Sequence, residues 1–137
     1  MMLMKVPLFI KFALCCVLPM LASCEQSPVT IEYIIPVGYR GPVTVTTKDP
    51  DGVELLPSRS HYEIRVSNNG VARTKGADPF RRWHTCIVKD ENGVRVPNAG
   101  DVADKQIAFW SVESSSNTMH YFVGTKEEKE KHWNQTK

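Results

Sequence analysis

The stretch that decides the fold class is Tyr62-Glu-Ile-Arg-Val-Ser-Asn-Asn-Gly-Val-Ala-Arg-Thr-Lys75. Apolar and polar residues alternate on both sides of Asn69-Gly70, and a period of two is typical of a strand with one buried face. The Asn-Gly pair favours a type I′ turn, because both central residues of that turn need a positive φ. The stretch therefore predicts a β-hairpin that pairs residues 62–66 with residues 71–75.

Short strands separated by turn residues continue along the chain from residue 29, and no long stretch of helical period interrupts them. A second hairpin is predicted on either side of the serine-rich segment 114–117. The predicted strands are 29–35, 43–47, 62–66, 71–75, 85–88, 107–113 and 118–123. Seven short strands in about 100 residues favour an all-β fold, a single antiparallel β-sandwich of immunoglobulin or transthyretin type.

The end of the chain predicts a short helix. Thr125-Lys-Glu-Glu128 has the pattern of a capping box, so a helix over residues 126–133 is expected, with Trp133 placed to dock on the sheet. In Phe109-Trp110 and in Tyr121-Phe122, neighbouring side chains of a strand must point to opposite faces. One aromatic residue of each pair therefore lies off the core, and the helix is expected to cover it.

Length and composition indicate one small globular domain. The chain has 137 residues, of which 42% are hydrophobic and 23% are charged. These values exclude a multidomain enzyme, a disordered chain and a coiled coil.

Residues 1–23 have the features of a secretory signal peptide. A basic start with Lys5 is followed by an apolar stretch and by the small residues Ala22 and Ser23. Lys11 and Pro19 interrupt the apolar stretch, which is also too short for a good membrane span. We therefore expect a cleaved signal helix.

The tetrapeptide Leu21-Ala-Ser-Cys24 resembles the lipobox of bacterial lipoproteins. The resemblance implies that the Cys24 thiol is diacylated and that cleavage just before it makes Cys24 the first mature residue. Two or three acyl chains hold a protein on a membrane essentially permanently. The predicted organisation is a signal peptide over 1–23, a lipidated cysteine and tether over 24–28, and a β domain over 29–137. An ordinary cleaved signal with a chance cysteine beside the cut is the alternative.

The expected location is the bacterial envelope. In enterobacterial lipoproteins an Asp after the lipidated Cys is the usual signal for retention in the inner membrane. Here Glu25 occupies that position, which favours the periplasmic face of the outer membrane.

Removal of the signal peptide changes the charge balance. Lys5 and Lys11 leave with it, so the mature chain has 15 basic and 15 acidic side chains. Because a net charge of zero does not attract a polyanion, nucleic acid is not predicted as a partner. Of the four cysteines, Cys15 and Cys16 also leave, and acylation of Cys24 would leave Cys86 without an intramolecular disulfide partner.

The mature sequence lacks the usual enzyme signatures, such as His-Glu-x-x-His or Gly-x-Ser-x-Gly, so neither an enzyme nor a bound cofactor is predicted. One alternative remains open. His84 and Cys86 share one face of a predicted strand, and with His120 they would form a soft metal site or an enzyme centre. Two ligands on one strand are fewer than a structural metal site usually has, so the alternative depends on His120 lying close to them.

A cationic stretch is the candidate ligand site. Arg73, Lys75, Arg81 and Arg82 are interleaved with aromatic residues that include Trp83. Arginine binds phosphate and carboxylate in bidentate geometry, and tryptophan offers a stacking face. The expected partners are an envelope protein, an anionic glycan or a lipid headgroup, although a solvated loop with Phe80 and Trp83 packed on the sheet edge is the alternative.

Three segments give a further resemblance. Ile35-Pro-Val-Gly-Tyr-Arg-Gly-Pro-Val-Thr-Val45, the stretch from Tyr62 to Thr74, and Phe122-Val-Gly-Thr-Lys-Glu-Glu128 are similar to a family of small bacterial lipoproteins. In that family an IP-x-G-[YF]-x-G-x-V segment opens a β domain and a VGT-x-[ED]-E segment closes it. The resemblance implies a fold and a location, with no reaction to carry over. Together with Cys24, it favours a membrane-anchored envelope lipoprotein with a non-catalytic binding or structural role. The other alternative is a transthyretin-like assembly subunit, which would need a large exposed apolar patch.

Overall fold

A computed structural model describes residues 28–57 and 59–137. The predicted signal peptide and Cys24 lie outside the described residues. Within that range no helix has both the length and the apolar character that a membrane span requires. The strands are β1 (Val29–Ile35), β2 (Gly41–Thr46), β3 (His61–Arg65), β4 (Val71–Arg73), β5 (His84–Asp90), β6 (Arg95–Val96), β7 (Ala108–Ser114) and β8 (Thr118–Gly124). The helices are α1 (Asp78–Arg81), a single 3₁₀ turn at Ala99–Asp101, and α2 (Lys126–Gln135).

The strands form two four-stranded sheets, sheet I in the order β3-β1-β5-β6 and sheet II in the order β4-β2-β8-β7. The chain passes from sheet I to sheet II and back with each strand from β1 to β5. Strands of the same sheet therefore enter it in the same direction, and β1 pairs in parallel with both β3 and β5 while β2 pairs in parallel with β4. The remaining pairs are antiparallel. The strand-rich character agrees with the prediction, but the prediction of purely antiparallel sheets is wrong.

The turn at residues 67–70 is closed by hydrogen bonds from the Gly70 N–H to the Ser67 carbonyl and from the Ser67 N–H to the Val71 carbonyl, but the strands on its two sides enter different sheets. On one side of it the Val66 N–H donates to the Ile34 carbonyl of sheet I, at 2.8 Å. On the other side the Thr44 N–H of sheet II donates to the Gly70 carbonyl, also at 2.8 Å. Gly70 has the expected positive φ, 78°. The positive φ at Gly70 was predicted, but the type I′ turn was wrong, because Asn69 has no positive φ and the Gly70 N–H donates to the Ser67 carbonyl at 2.9 Å. The pairing of 62–66 with 71–75 was also wrong, because the partners of both strands come from distant parts of the sequence.

The second predicted hairpin is confirmed. β7 and β8 pair antiparallel, and the Ser115 N–H donates to the Thr118 carbonyl across the serine-rich turn. The register shifts between Ser111 and Glu113, which leaves an extra residue in β7. Such a bulge bends the strand and increases its twist.

Side chains from both sheets share one apolar core. Tyr33 of β1 is fully buried, with its ring 5.4 Å from that of Phe109 and 5.5 Å from that of Tyr121 in sheet II. Its hydroxyl donates to the Tyr121 hydroxyl at 3.3 Å. Burial raises the pKa of Tyr33 well above its ordinary value, and the neighbouring Tyr121 adds to the shift. Phe109 and Tyr121 are thus the core-facing members of the two aromatic pairs.

Helix α2 begins where the capping box predicts and extends two residues beyond the predicted end. The Glu128 N–H donates to the Thr125 hydroxyl, while the Thr125 N–H donates to the Glu128 carboxylate. The helix covers the outer aromatic residues, since Lys129 lies over Trp110 and the His132 ring is 5.6 Å from that of Phe122. This agrees with the expectation for the off-core aromatic residues.

The parallel strands of sheet I begin at one end of the molecule. Val29 lies opposite His84 and Thr30 lies opposite His61 in the register. The chain that precedes β1 and the loops that precede β3 and β5 therefore meet there. We call this end, formed by Pro28 and by residues 47–57, 59–60 and 74–83, the tether end. The opposite end, formed by residues 36–40, 91–94 and 105–107, is called the far end.

Candidate functional site

The cationic stretch is held at the tether end by a short helix. Pro79 lies in the first turn of α1, where proline is well tolerated because no N–H partner is needed there. Phe80 packs against the core, with its ring edge-on to His84 at 6.4 Å. Arg81 closes the helix and is exposed. Phe80 thus fixes the loop, as the solvated-loop alternative expected.

Trp83 does not pack on the sheet edge. Its side chain is 89% exposed, the highest value among the large hydrophobic residues described. Tryptophan is rarely left in water, since its large ring is usually mostly buried. Because Val29 lies opposite His84, Pro28 and Trp83 precede neighbouring strands at the same end of sheet I. The exposed ring therefore lies where the predicted tether joins the domain.

An open cavity of about 350 Å³ lies in the same end. Three of its lining side chains are cationic, Lys48, Lys75 and Arg81. Two are acidic, Glu54 and Asp78. The cavity thus has one positive charge in excess, and its exposed ammonium and guanidinium groups are suited to a phosphate or carboxylate.

The other two predicted cations serve structural contacts. The Arg73 Nε lies 3.8 Å from the Asp49 carboxylate. The Arg82 guanidinium donates to the Tyr62 hydroxyl at 3.1 Å, and that hydroxyl donates to the Leu56 carbonyl. The structure therefore brings Lys75 and Arg81 together in the cavity, places Trp83 at the same end, and uses Arg73 and Arg82 to hold the loops.

Sequence reasoning missed the contribution of the loop before β3. Lys48 lines the cavity, and Val53 and Leu56 are 63% and 44% exposed. These residues lie some 30 positions before Trp83 and reach the same end because β1, β3 and β5 are parallel. No local signal in the sequence indicates that proximity, since it depends on the strand order.

The three residues of the proposed metal or enzyme centre do not converge. Cys86 packs against the core, where burial raises the pKa of its thiol. The His84 ring Nδ1 lies 2.7 Å from the Arg82 carbonyl. His120 lies on the outer face of sheet II, with Nδ1 3.4 Å from the Thr44 hydroxyl. In the part of the chain that the structure describes, no three His, Cys, Asp or Glu residues are grouped for a metal ion.

A second cavity, of about 330 Å³, lies between α2 and the outer face of sheet II. Its lining includes His120, Phe122, His132 and Trp133, so Trp133 does face the sheet. The aromatic walls suit an apolar group. The expectation that Trp133 docks towards the sheet agrees with this position.

No protein-family model and no curated protein matches the chain. Among solved structures, the chain is similar to the crystal structure of a "Putative Lipoprotein from Bacillus anthracis". The two chains are 20% identical, with a TM-score of 0.44. The alignment covers 69% of this chain and 71% of the Bacillus anthracis chain.

Proposed function

We propose that the protein is an envelope lipoprotein, anchored by acyl chains on Cys24, whose β domain has a non-catalytic binding role at the tether end. The observation that carries this proposal is the spacing between the lipobox-like tetrapeptide and the domain. Cys24 precedes β1 by five residues, and β1 begins beside the cationic loop.

The short spacing limits how far the domain can lie from its anchor. A fully extended chain advances about 3.3–3.6 Å per residue, so Cys24 and Val29 are at most about 18 Å apart. The start of β1 therefore stays within that distance of the lipidated residue whichever way the domain turns. A binding surface at this end would meet ligands at or near the membrane.

The chemistry of the tether end supports binding of an anionic group. Lys48, Lys75 and Arg81 border an open cavity, and arginine can donate two parallel hydrogen bonds to one phosphate or carboxylate. Glu54 and Asp78 in the same lining keep the charge excess small. A small excess suits a weak contact that adds to the anchor.

The separation of His84, Cys86 and His120 favours this binding role over the metal or enzyme alternative. A nucleophile needs its base within hydrogen-bond distance, and a metal needs several ligands around one point. Cys86 packs against the core whereas His120 lies on the outer face of sheet II.

The assembly-subunit alternative stays a prediction with a defined location. Val37, Val94 and Ile107 are exposed large hydrophobic residues at the far end. That end is opposite the start of β1 and so is the end further from the proposed anchor. A protein partner of the domain would therefore bind there, and substitution of these residues by serine would weaken its co-purification.

The anchor is tested by fractionation of bacteria that express the full chain. Wild type and Cys24→Ala are compared, with Cys86→Ala as the matched control because it removes the other mature cysteine. We expect wild type and Cys86→Ala to stay in the membrane pellet after an alkaline wash and to need detergent for release. Cys24→Ala should lack the acylated form, and any copy left in the pellet should still carry residues 1–23. Retention of Cys24→Ala in the washed pellet without residues 1–23 would overturn the proposal.

A further inference from the structure

We infer that the tether end lies against the bilayer that holds the anchor, with Trp83 in the membrane interface and Lys75 and Arg81 facing lipid phosphates. This inference rests on the proposed anchor at Cys24. It names the lipid surface as the anionic partner of the cationic site.

The position of Trp83 is the first argument. The indole is 89% exposed, and Trp83 directly precedes β5 as Pro28 directly precedes the neighbouring strand β1, where the predicted tether joins the domain. Tryptophan is enriched at membrane–water interfaces because its ring is apolar and its N–H is polar. Because the start of the neighbouring strand stays within about 18 Å of Cys24, the bilayer is the apolar phase closest to this exposed ring.

Exposed aliphatic side chains accompany Trp83. Val53 and Leu56 are exposed at the same end, on the loop that precedes β3. The other exposed large hydrophobic residues of the described chain, Val37, Val94 and Ile107, lie at the far end. The exposed apolar residues are thus divided between the two ends, and the short tether brings the set with Trp83 towards the lipid.

Cations around the cavity accompany these apolar side chains. The tether end contains five basic and four acidic side chains and the far end contains two basic and one acidic, so both ends carry one positive charge in excess. What distinguishes the tether end is that three of its cations, Lys48, Lys75 and Arg81, border one open cavity. Basic side chains close to a membrane are attracted to anionic lipid within about one Debye length, ~8 Å at physiological salt.

The same position argues against a soluble glycan or protein as the main partner of this surface. A surface tethered so close to the bilayer has little room for a large ligand between itself and the lipid. The combination of an exposed indole, exposed aliphatic side chains and cations is typical of interfacial membrane contact. A polyanion alone would not need Val53 or Leu56.

The first test measures the depth of Trp83. Full-length protein, with acylation of Cys24 first verified by mass, is reconstituted in vesicles of phosphatidylcholine and phosphatidylglycerol that carry bromine on the upper acyl carbons. Bromine quenches tryptophan fluorescence at short range. We expect quenching in wild type and in Trp133→Phe, the matched control, and loss of the quenched component in Trp83→Phe.

The second test measures the charge contribution in the same vesicles. Lys75→Glu/Arg81→Glu is compared with Arg95→Glu/Lys105→Glu, which makes the same change in charge on exposed residues nearer the far end. We expect phosphatidylglycerol to increase the quenching of Trp83 in wild type and in the control. The increase should be lost in Lys75→Glu/Arg81→Glu.

Three results would contradict the inference or the proposed function, and they can be distinguished. Acylated protein whose quenching is the same with and without Trp83 would overturn the inference and leave the anchor intact. The inference would also be overturned if vesicles left the Trp83 fluorescence unchanged while dextran sulfate altered it. The partner would then be a glycan-like polyanion. Protein without acyl chains on Cys24 would overturn the proposed function, and this inference with it.

Discussion

Gly70 is the residue at which the chain turns from sheet I into sheet II. Its φ is 78°, and a Cβ built there would overlap the Tyr39 hydroxyl and the Pro42 carbonyl. A side chain at this position therefore meets both backbone strain and a steric clash. The positive φ of Gly70 was predicted correctly because φ is a local property, but the predicted type I′ turn also needs a positive φ at Asn69, which the structure does not have.

Substitution of Gly70 by Ala tests the importance of this turn. We expect Gly70→Ala to lower the free energy of unfolding by about 3 kcal/mol, from positive-φ strain and overpacking together. In a domain of this size that corresponds to a fall in Tm on the order of 10 °C or more. Gly76→Ala is the matched control, because open space surrounds its Cβ position and its φ is not positive. Equal melting temperatures for the two variants, read by circular dichroism, would contradict this account.

Cys86 was a candidate reactive residue, but in the fold it packs with the core side chains. Its position on a strand made a role as ligand or nucleophile conceivable, but the thiol packs against the core. Burial raises its pKa, so the thiolate, which is the reactive form, is scarce at neutral pH. Which face of β5 points inwards depends on the pairing with β1, and a single sequence does not specify that pairing.

Alkylation by iodoacetamide measures this protection. We expect the peptide that contains Cys86 to be modified much more slowly in the native protein than after denaturation in urea, with the native rate rising only at alkaline pH. Mass spectrometry of the peptide separates Cys86 from the other cysteines. A native rate at neutral pH equal to that of the denatured protein would show an accessible, reactive thiol.

At the scale of elements, the start of helix α2 was predicted from a local pattern. The capping box is a local pattern of four residues, and its hydrogen bonds formed as expected. What the sequence did not predict is the link to a distant turn. The Arg40 guanidinium donates to both carboxylate oxygens of Glu128. This contact ties the start of α2 to the segment between β1 and β2.

That link predicts a pH dependence. The hydrogen bonds from Arg40, followed by that from the Thr125 N–H, lower the pKa of Glu128 below its ordinary value of 4.5. A carboxyl group whose folded-state pKa is lowered stabilises the fold above its unfolded-state pKa, and the stabilisation is lost as pH falls through the folded-state pKa. The stabilisation by Glu128 is therefore complete above about pH 4.5 and disappears in more acidic solution.

An NMR titration of the Glu128 side-chain carboxyl tests the sign. Arg40→Ala should raise the pKa of Glu128 towards its ordinary value and shift the acid-induced loss of helix stability to higher pH. Arg65→Ala is the matched control, because Arg65 pairs with a different carboxylate, that of Glu63, at 3.0 Å. If Arg40→Ala left the titration of Glu128 unchanged, the contact would not determine this pKa.

The strands themselves were also predicted well, because their alternation is local. Strand β1 has the predicted bounds, and each of the other predicted strands overlaps an observed one. Strand β6, of two residues, and helix α1, of four, are too short to leave a periodic signal. The parallel pairing could not be predicted, since it follows from crossings between sheets that no turn motif encodes.

At the scale of the whole molecule, the parallel order of β1, β3 and β5 creates the candidate site. It gathers the loops before β3 and β5 at the same end as the start of the domain. The sequence identified Lys75, Arg81 and Trp83 because they lie in one segment. It missed Lys48, Val53 and Leu56 because their proximity arises only from the topology. The resulting molecule has one end with exposed cationic and apolar side chains, next to the predicted tether, and an opposite end with a second set of exposed apolar side chains.

The central claim is that this arrangement is anchored through Cys24, and intact mass measures it most directly. The protein is extracted with detergent from membranes of bacteria that express the full chain, and its mass is compared with that of Cys24→Ala. The account predicts a species that begins at Cys24 and is heavier than the peptide by two or three acyl chains, absent in the variant. The account would be contradicted by a mature protein in the soluble fraction whose mass equals that of its amino-acid sequence, without acyl chains.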